Sequence, residues 1–469
     1  MQNADLIIAN GIILTMDADD TIMYGGSIAV SNGKIVDIGP HEIINKKFRG
    51  TEVIDASLSA VLPGFVNTHF HSTQNFMKGT RDDLSLLDWI NKISFPRIKV
   101  TLDDYRNGMS DIHTLAVMHA GIDLISSGIT TTANMEWGML PDIADAYDLL
   151  GIHITNVLTM TDNASWTPKE AIIEEEELFT LADNLITAFS KEGSKVDFAY
   201  GIACPNSASE KLILRSREEA SRRGSMLHIH LAESKFEYDQ FVNNTGSTPT
   251  RYLEHLGFWT SDVWAAHCIW LDSEDIDILA RHHVGVSHNP KCNMKIASGA
   301  APVAEMRKRG ISVGIGIDSC AVSDNTDFFE AMRTAIFLQR LATGDPKAVL
   351  GKEALRMATI EGAAALGKDH KTGSLEQGKQ ADMIMVRLTD VNLRPYNDIV
   401  NNLVFAAGSS NISCVIADGE VLMRDGVFTR FDKDAVLDEV ESKAAALYRA
   451  AGIEIPRHFM IKELKGGIP

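Results

Sequence analysis

Several common features are missing from this chain, and each absence narrows what it is. Its five cysteines (Cys204, Cys268, Cys292, Cys320 and Cys414) are scattered and form no Cys-x-x-Cys pair. That excludes a disulfide framework and a zinc finger, and it points to reduced thiols in a cytoplasmic protein. No window of about 18 uninterrupted apolar residues occurs, so no membrane span is expected. The opening residues MQNADLIIANGIILTMDADD lack a basic segment and turn acidic early, unlike a signal peptide. Basic residues are in deficit: 44 Lys and Arg against 63 Asp and Glu leave a net charge of −19. Such a surface disfavours nucleic acid and anionic membrane, while a neutral or cationic small molecule can still bind. Repeats and low-complexity linkers are also absent, and 469 residues suit one large domain plus a smaller one.

What is present has a clear rhythm. Both ends read as short strands, with turn signals at Asn10-Gly11, Asn32-Gly33 and Asp418-Gly419. These blocks, 1–58 and 370–430, are expected to pair into one small β-sandwich domain. Between them, over 59–369, eight apolar runs (61–69, 128–135, 152–160, 196–205, 226–232, 263–268, 284–289 and 312–318) alternate with helical stretches at 103–126, 141–150, 169–191, 208–223, 272–282 and 302–309. That pattern predicts an α/β fold, a (β/α)8 TIM-type barrel. Residues 353–366 read as a packing helix, and 431–469 as a C-terminal helix and tail.

Histidine and carboxylate residues gather at the ends of these strands, the face where barrel active sites are built. His69-Phe70-His71 closes the first strand. Residues i and i+2 of a strand point to one side, so two imidazoles stand together. His228-Ile229-His230-Leu231-Ala232-Glu233 ends the fifth strand, Ala266-His267-Cys268 the sixth and Gly316-Ile317-Asp318-Ser319 the eighth. Imidazole with carboxylate suits Zn²⁺ or a related divalent ion. No strand-end lysine suited to carbamylation and no second carboxylate cluster is visible, which implies a single ion. His228 reads as packing or support behind the site. Trp89, Phe76 and Met77 in the long first loop, and Glu136 and Trp137 after the second strand, offer surfaces for a flat heterocycle.

The motifs PGFVNTHFH, LHIHLAES, AAHC, SHNPKCNMK, GIGIDS and GSLEQGKQADMIMV resemble the amidohydrolase superfamily, across essentially the whole chain. Within it they are similar to the branch holding S-adenosylhomocysteine/methylthioadenosine deaminases and s-triazine hydrolases. The resemblance implies His69, His71, His230 and Asp318 as ligands of one divalent metal ion, zinc first, with iron or manganese as alternatives. It implies Glu233 as proton shuttle and His267 as the group orienting the water or the tetrahedral intermediate. Asp318 would also accept a hydrogen bond from that water. Asn206, His288 and Asn289 are expected to touch substrate, and the protein to be a homo-oligomer, dimer or tetramer. Two departures bear on substrate. Pro96 is followed by Arg97, Ile98 and Lys99, where adenosine-type deaminases carry a ribose-holding Glu, and Pro205 is followed by Asn206 where they carry His. The expected activity is hydrolytic deamination of a flat N-heterocycle of aminopurine, pterin or s-triazine type, releasing ammonia or an amine. Alternatives are an adenosine-type nucleoside deaminase, a cyclic amide hydrolase on the same scaffold, and a non-catalytic scaffold protein.

Overall fold

The apolar run at 59–70 feeds two different sheets. The computed structural model, which describes residues 1–137 and 141–456, breaks it at Gly64 into Ser59–Pro63 and Phe65–Phe70. A Cβ on Gly64 would lie 2.1 Å from Thr130 Oγ1, so only glycine lets the chain pass this close to the next strand. The single strand expected over 61–69 is therefore two. The first belongs to the terminal sheet and the second opens the barrel.

The barrel strands are Phe65–Phe70, Ile129–Glu136, His153–Met160, Val196–Ile202, Leu227–Leu231, Val263–His267, Gly285–His288 and Val313–Ile315, all parallel and neighbours in chain order. They are buried almost throughout, as parallel strands covered on both faces must be. The ring closes where the eighth strand's continuation meets the first: His71 N–H donates to Asp318 O and Asp318 N–H to His69 O, both at 2.9 Å. Closure thus sets three candidate ligands beside one another through the backbone alone.

The expected helices follow the strands, among them Asp111–Ser126, Glu175–Phe189, Glu210–Arg223 and Ser273–Arg281. Two more, Lys235–Thr245 and Pro249–His255, fill the connection after the fifth strand. The helix expected over 353–366 is two, Gly351–Met357 and Ile360–Ala365. They part at Thr359, whose hydroxyl bonds back to Leu355 O at 2.7 Å.

The two chain ends build one nine-stranded mixed sheet, joined where Ser59–Pro63 runs antiparallel to Met383–Arg387. Asn32-Gly33 and Asp418-Gly419 form tight hairpin turns, with both residues of each at positive φ. Asn10-Gly11 is not a turn. It is a bulge inside the strand Gln2–Leu14, which pairs with Phe48–Asp55 before it and Ser59–Pro63 after it. The helix Lys433–Ala451 packs over the long first barrel loop, burying Val440, Ala444 and Leu447 against Phe76, Met77 and Trp89. The tail expected beyond it lies, from 457, outside the described residues.

Sheet and barrel are clasped at the end of the barrel away from the strand C-termini. His153, which begins the third strand, puts Nε2 3.3 Å from Asp382 Oδ1 and 3.5 Å from Asp418 Oδ1. Burial alone would lower this histidine, but the two aspartates raise it to about 9.

Candidate metal and active site

Four strand ends bring the expected residues into one buried group. The His69 ring lies 4.7 Å from His71 and 4.8 Å from His230, centroid to centroid. Asp318 Oδ1 stands 3.7 Å from His69 Nε2 and 3.5 Å from His71 Nε2. Its Oδ2 turns the other way, 3.8 Å from His267 Nε2, which lies 3.6 Å from Glu233 Oε2.

The hydrogen bonds behind the rings decide which nitrogens are free. His71 Nδ1 lies 2.6 Å from Met135 O and His230 Nδ1 2.6 Å from Ala203 O. A carbonyl only accepts, so each Nδ1 carries the proton and each Nε2 keeps its lone pair. His228 Nδ1 likewise donates to Trp264 O at 2.9 Å, which leaves its Nε2 to accept from His69 Nδ1 at 2.9 Å. His228 therefore stands behind the site and orients His69, whose own Nε2 is buried with no hydrogen-bond partner among the described residues. Burial first, then neighbouring imidazoles, holds His69 and His230 well below the ordinary histidine value. Burial also takes His71 down to about 4 and His228 to about 3. Three neutral imidazoles with converging bare Nε2 atoms, plus one carboxylate oxygen, form the donor set that a divalent ion such as zinc takes. The 3.5–3.7 Å separations are near the roughly 3.3 Å edge of a tetrahedron with zinc–ligand bonds of about 2.0 Å.

His267 is held in the same manner, its Nδ1 2.9 Å from Asn293 Oδ1, with Nε2 directed at Glu233 and Asp318. It and Asp318 sit in the left-handed region, φ 72 and 68. Non-glycine residues there cost about 1–3 kcal/mol each, strain that clusters at functional sites. The neighbouring backbone is equally tight: a Cβ on Gly316 would fall 2.1 Å from Asn289 Oδ1. Burial pushes Glu233 up to about 8 and Asp318 to about 6.

A cavity opens over this group. Trp89, Phe95, Trp137 and Trp166 wall it, with Leu86, Ile90 and Ile98; Gln74, Thr159 and Glu237 supply polar atoms. Of the expected substrate contacts, Trp89 and Trp137 line it. Glu136, Asn206, His288 and Asn289 do not, nor do Phe76 and Met77, which pack under the C-terminal helix. Glu136 Oε1 accepts from Thr73 N at 2.7 Å and Ser72 Oγ at 3.1 Å, so its carboxylate anchors the loop after His71. Asn206 donates to Glu237 O at 3.2 Å. Asn289 accepts from Ser287 Oγ at 3.0 Å and sets its amide against the His267 ring. His288 is fully buried with no hydrogen-bond partner among the described residues. Strand-end position marks such residues in sequence, but side-chain direction does not follow from it. Cys292, Trp166 and Glu237 went unrecognised. Cys292 is buried and lines the cavity, its sulfur within 4.8 Å of an Asp318 carboxylate oxygen.

Comparison with known proteins places this architecture. A 5'-deoxyadenosine deaminase of Methanosarcina acetivorans is 36% identical over 449 residues, covering 96% of this chain and 99% of that protein. A 5-methylthioadenosine/S-adenosylhomocysteine deaminase of Pelotomaculum thermopropionicum is 34% identical over 448 residues, covering 95% and 99%. The crystal structure of an adenosine deaminase from Xanthomonas campestris with bound zinc superposes with a TM-score of 0.90 at 25% identity, covering 96% of this chain and 99% of that one. The model of the amidohydrolase family matches residues 60–422, from the last strand before the barrel to the returning strands of the terminal sheet, and the chain belongs to that family.

Proposed function

We propose that the chain is a metal-dependent hydrolytic deaminase that releases ammonia from an adenosine-type nucleoside with an uncharged 5' end. The carrying observation is the meeting of three bare imidazole nitrogens with one buried carboxyl, Glu233, at the floor of an aromatic-walled cavity. His69, His71, His230 and Asp318 would hold the ion. A divalent ion so held lowers the pKa of water from 15.7 towards about 7. Glu233 lies three residues past His230, beside His267 and, among the described residues, paired with no Lys or Arg. It takes the proton from water, passes it to the ring nitrogen, and delivers a second to the leaving amine. Asp318 Oδ2, turned from the three histidines, accepts a hydrogen bond from the attacking water, and the bare Nε2 of His267 accepts from it beside Asp318 and orients it. Trp89, Trp137 and Phe95 hold the flat ring and keep bulk water out.

The nucleoside class is supported by the two deaminase relatives that match nearly end to end. Among the described residues no Lys or Arg lines the cavity, which suits a 5'-deoxy or 5'-methylthio end better than an amino-acid tail. A second reading, a ribose-free heterocycle, is favoured by Ile98. It lines the cavity from the stretch after Pro96, in which the resemblance expects a ribose-holding carboxylate and this chain has Arg97, Ile98 and Lys99, and Asn206 is engaged elsewhere. Zinc as the native ion is supported by the zinc in the Xanthomonas campestris structure. A cytoplasmic location is supported by five unpaired cysteines, and no described helix is long and apolar enough to cross a membrane. A homo-oligomer is supported by Phe337 and Leu341, 54% and 83% exposed on one helix.

The test is ammonia release by zinc-replete protein from 5'-deoxyadenosine, 5'-methylthioadenosine, S-adenosylhomocysteine, free aminopurines, pterins and amino-s-triazines. Release from the first two above all others is expected. Preference for a free base or a triazine would install the second reading. Release from none, with hydrolysis of a cyclic amide, would replace both.

A further inference from the structure

Asp318 faces two sets of donors. Oδ1 turns to His69 and His71, at 3.7 and 3.5 Å, and Oδ2 to His267 Nε2, at 3.8 Å. On that second side stand Glu233, 3.6 Å from His267, and the thiol of Cys292. One donor atom from each of Glu233, His267, Cys292 and Asp318 lies within 4.8 Å of every other, and all four residues are buried. They come from four different stretches of chain and converge with nitrogen, sulfur and two carboxylate oxygens. The deamination steps above have no use for a thiol.

We infer that Glu233, His267, Cys292 and Asp318 form a second cation site, for a thiophilic divalent ion such as zinc in excess, cobalt or cadmium, and that filling it switches the enzyme off. The inference rests on the reading of His69, His71, His230 and Asp318 as the first site. Asp318 would bridge the two ions with its two oxygens, an arrangement that sets metals about 3.5–4 Å apart. Three anionic ligands, the two carboxylates and the thiolate, offset most of the charge of two dications. On binding, the sulfur–hydrogen bond breaks, the proton leaves to solvent and the sulfur pair goes to the metal. The soft sulfur selects zinc, cobalt or cadmium over magnesium or calcium. Occupancy engages the Glu233 carboxylate and His267 Nε2, so proton transfer stops without any loss of the first ion.

Metal-stripped full-length protein is titrated with cobalt(II), following absorbance and bound equivalents, beside Cys292→Ser and Cys292→Ala. Two equivalents are expected in the wild type. The first gives only the weak visible bands of nitrogen and oxygen ligands, and the second adds a thiolate-to-cobalt charge-transfer band in the near ultraviolet. Both variants should keep the first equivalent with the same visible bands, which shows that they fold. They should lose the charge-transfer band and weaken the second equivalent by at least the roughly 100-fold that even an outer-sphere ligand partner can cost. With zinc, wild-type ammonia release should rise through the first equivalent and fall through the second. A second equivalent equally tight in both variants, a charge-transfer band within the first equivalent, or saturation at one equivalent would each overturn the inference. No bound equivalent at all would instead overturn the first site, and this one with it.

Discussion

Two buried groups of histidine and aspartate sit at opposite ends of the same barrel, and they are opposites chemically. At the strand C-termini, His69, His71 and His230 are neutral, their Nε2 atoms bare and aimed at one another. At the other end His153 is held protonated between Asp382 and Asp418. The residue types alone would allow a metal at either place. The difference lies in what else each carboxylate and imidazole already touches. Asp382 accepts from Asp418 N at 2.9 Å and from Thr372 Oγ1 at 2.7 Å, and Lys195 stands 3.5 Å from Asp418. That end is saturated with donors and neutralises itself, so it ties the terminal sheet to the barrel. At the upper end the Nδ1 atoms of His69, His71 and His230 are each committed to an acceptor, and among the described residues no Lys or Arg pairs with Asp318, so the lone pairs are left for an ion. A metal site is recognised by acceptors left over after the protein's own bonding is complete.

Three substitutions sharpen that contrast, in falling order of effect. Glu233→Gln should cut the ammonia-release rate by about 10²–10⁴-fold, with first-site metal unchanged by mass spectrometry; lost metal would make Glu233 a ligand instead. His153→Ala leaves Asp382 buried without its counter-charge, which should cost about 3–5 kcal/mol of stability while metal content stays constant. That contribution has a pH signature. His153 is raised to about 9 in the folded chain from an ordinary value near 6.5, so it stabilises fully below about pH 6.5. The gain fades as pH climbs through 9. The melting-temperature gap between wild type and His153→Ala should therefore narrow from pH 6.5 to 9.5; a constant gap would refute the charged clasp. His228→Ala removes only the acceptor behind His69 and should weaken metal binding by about 10–100-fold, read by competition with a chelator.

Much of the upper end was legible in the sequence because it is local. His69-Phe70-His71 needs only strand alternation to present two imidazoles, and Glu233 follows His230 at a spacing that reaches the same point. All eight barrel strands were visible as apolar runs between helical stretches. What escaped depends on direction or distance. Nothing in the run 59–70 shows that Gly64 hands the chain from one sheet to another until Thr130 stands beside it. Asn10-Gly11 has the composition of a turn, yet the strand runs on through it as a bulge because two different neighbours pair on either side. Glu136 sits at a strand end as substrate contacts do, but its carboxylate points back to Thr73. Cys292 lies inside the motif SHNPKCNMK, and nothing local there shows where its thiol points. Only closure of the barrel sets its thiol against Asp318, and only packing of the terminal sheet brings Asp382 and Asp418 to His153.

The most direct test is ammonia release from 5'-deoxyadenosine by one preparation, measured as purified, after chelation and after zinc is restored to one equivalent per chain. Release that vanishes with the metal and returns with it is expected, with Glu233→Gln slower by about 10²–10⁴-fold when zinc is present. Release that survives complete removal of metal, or that Glu233→Gln supports at the wild-type rate, would contradict the assignment of the upper cluster as the catalytic centre.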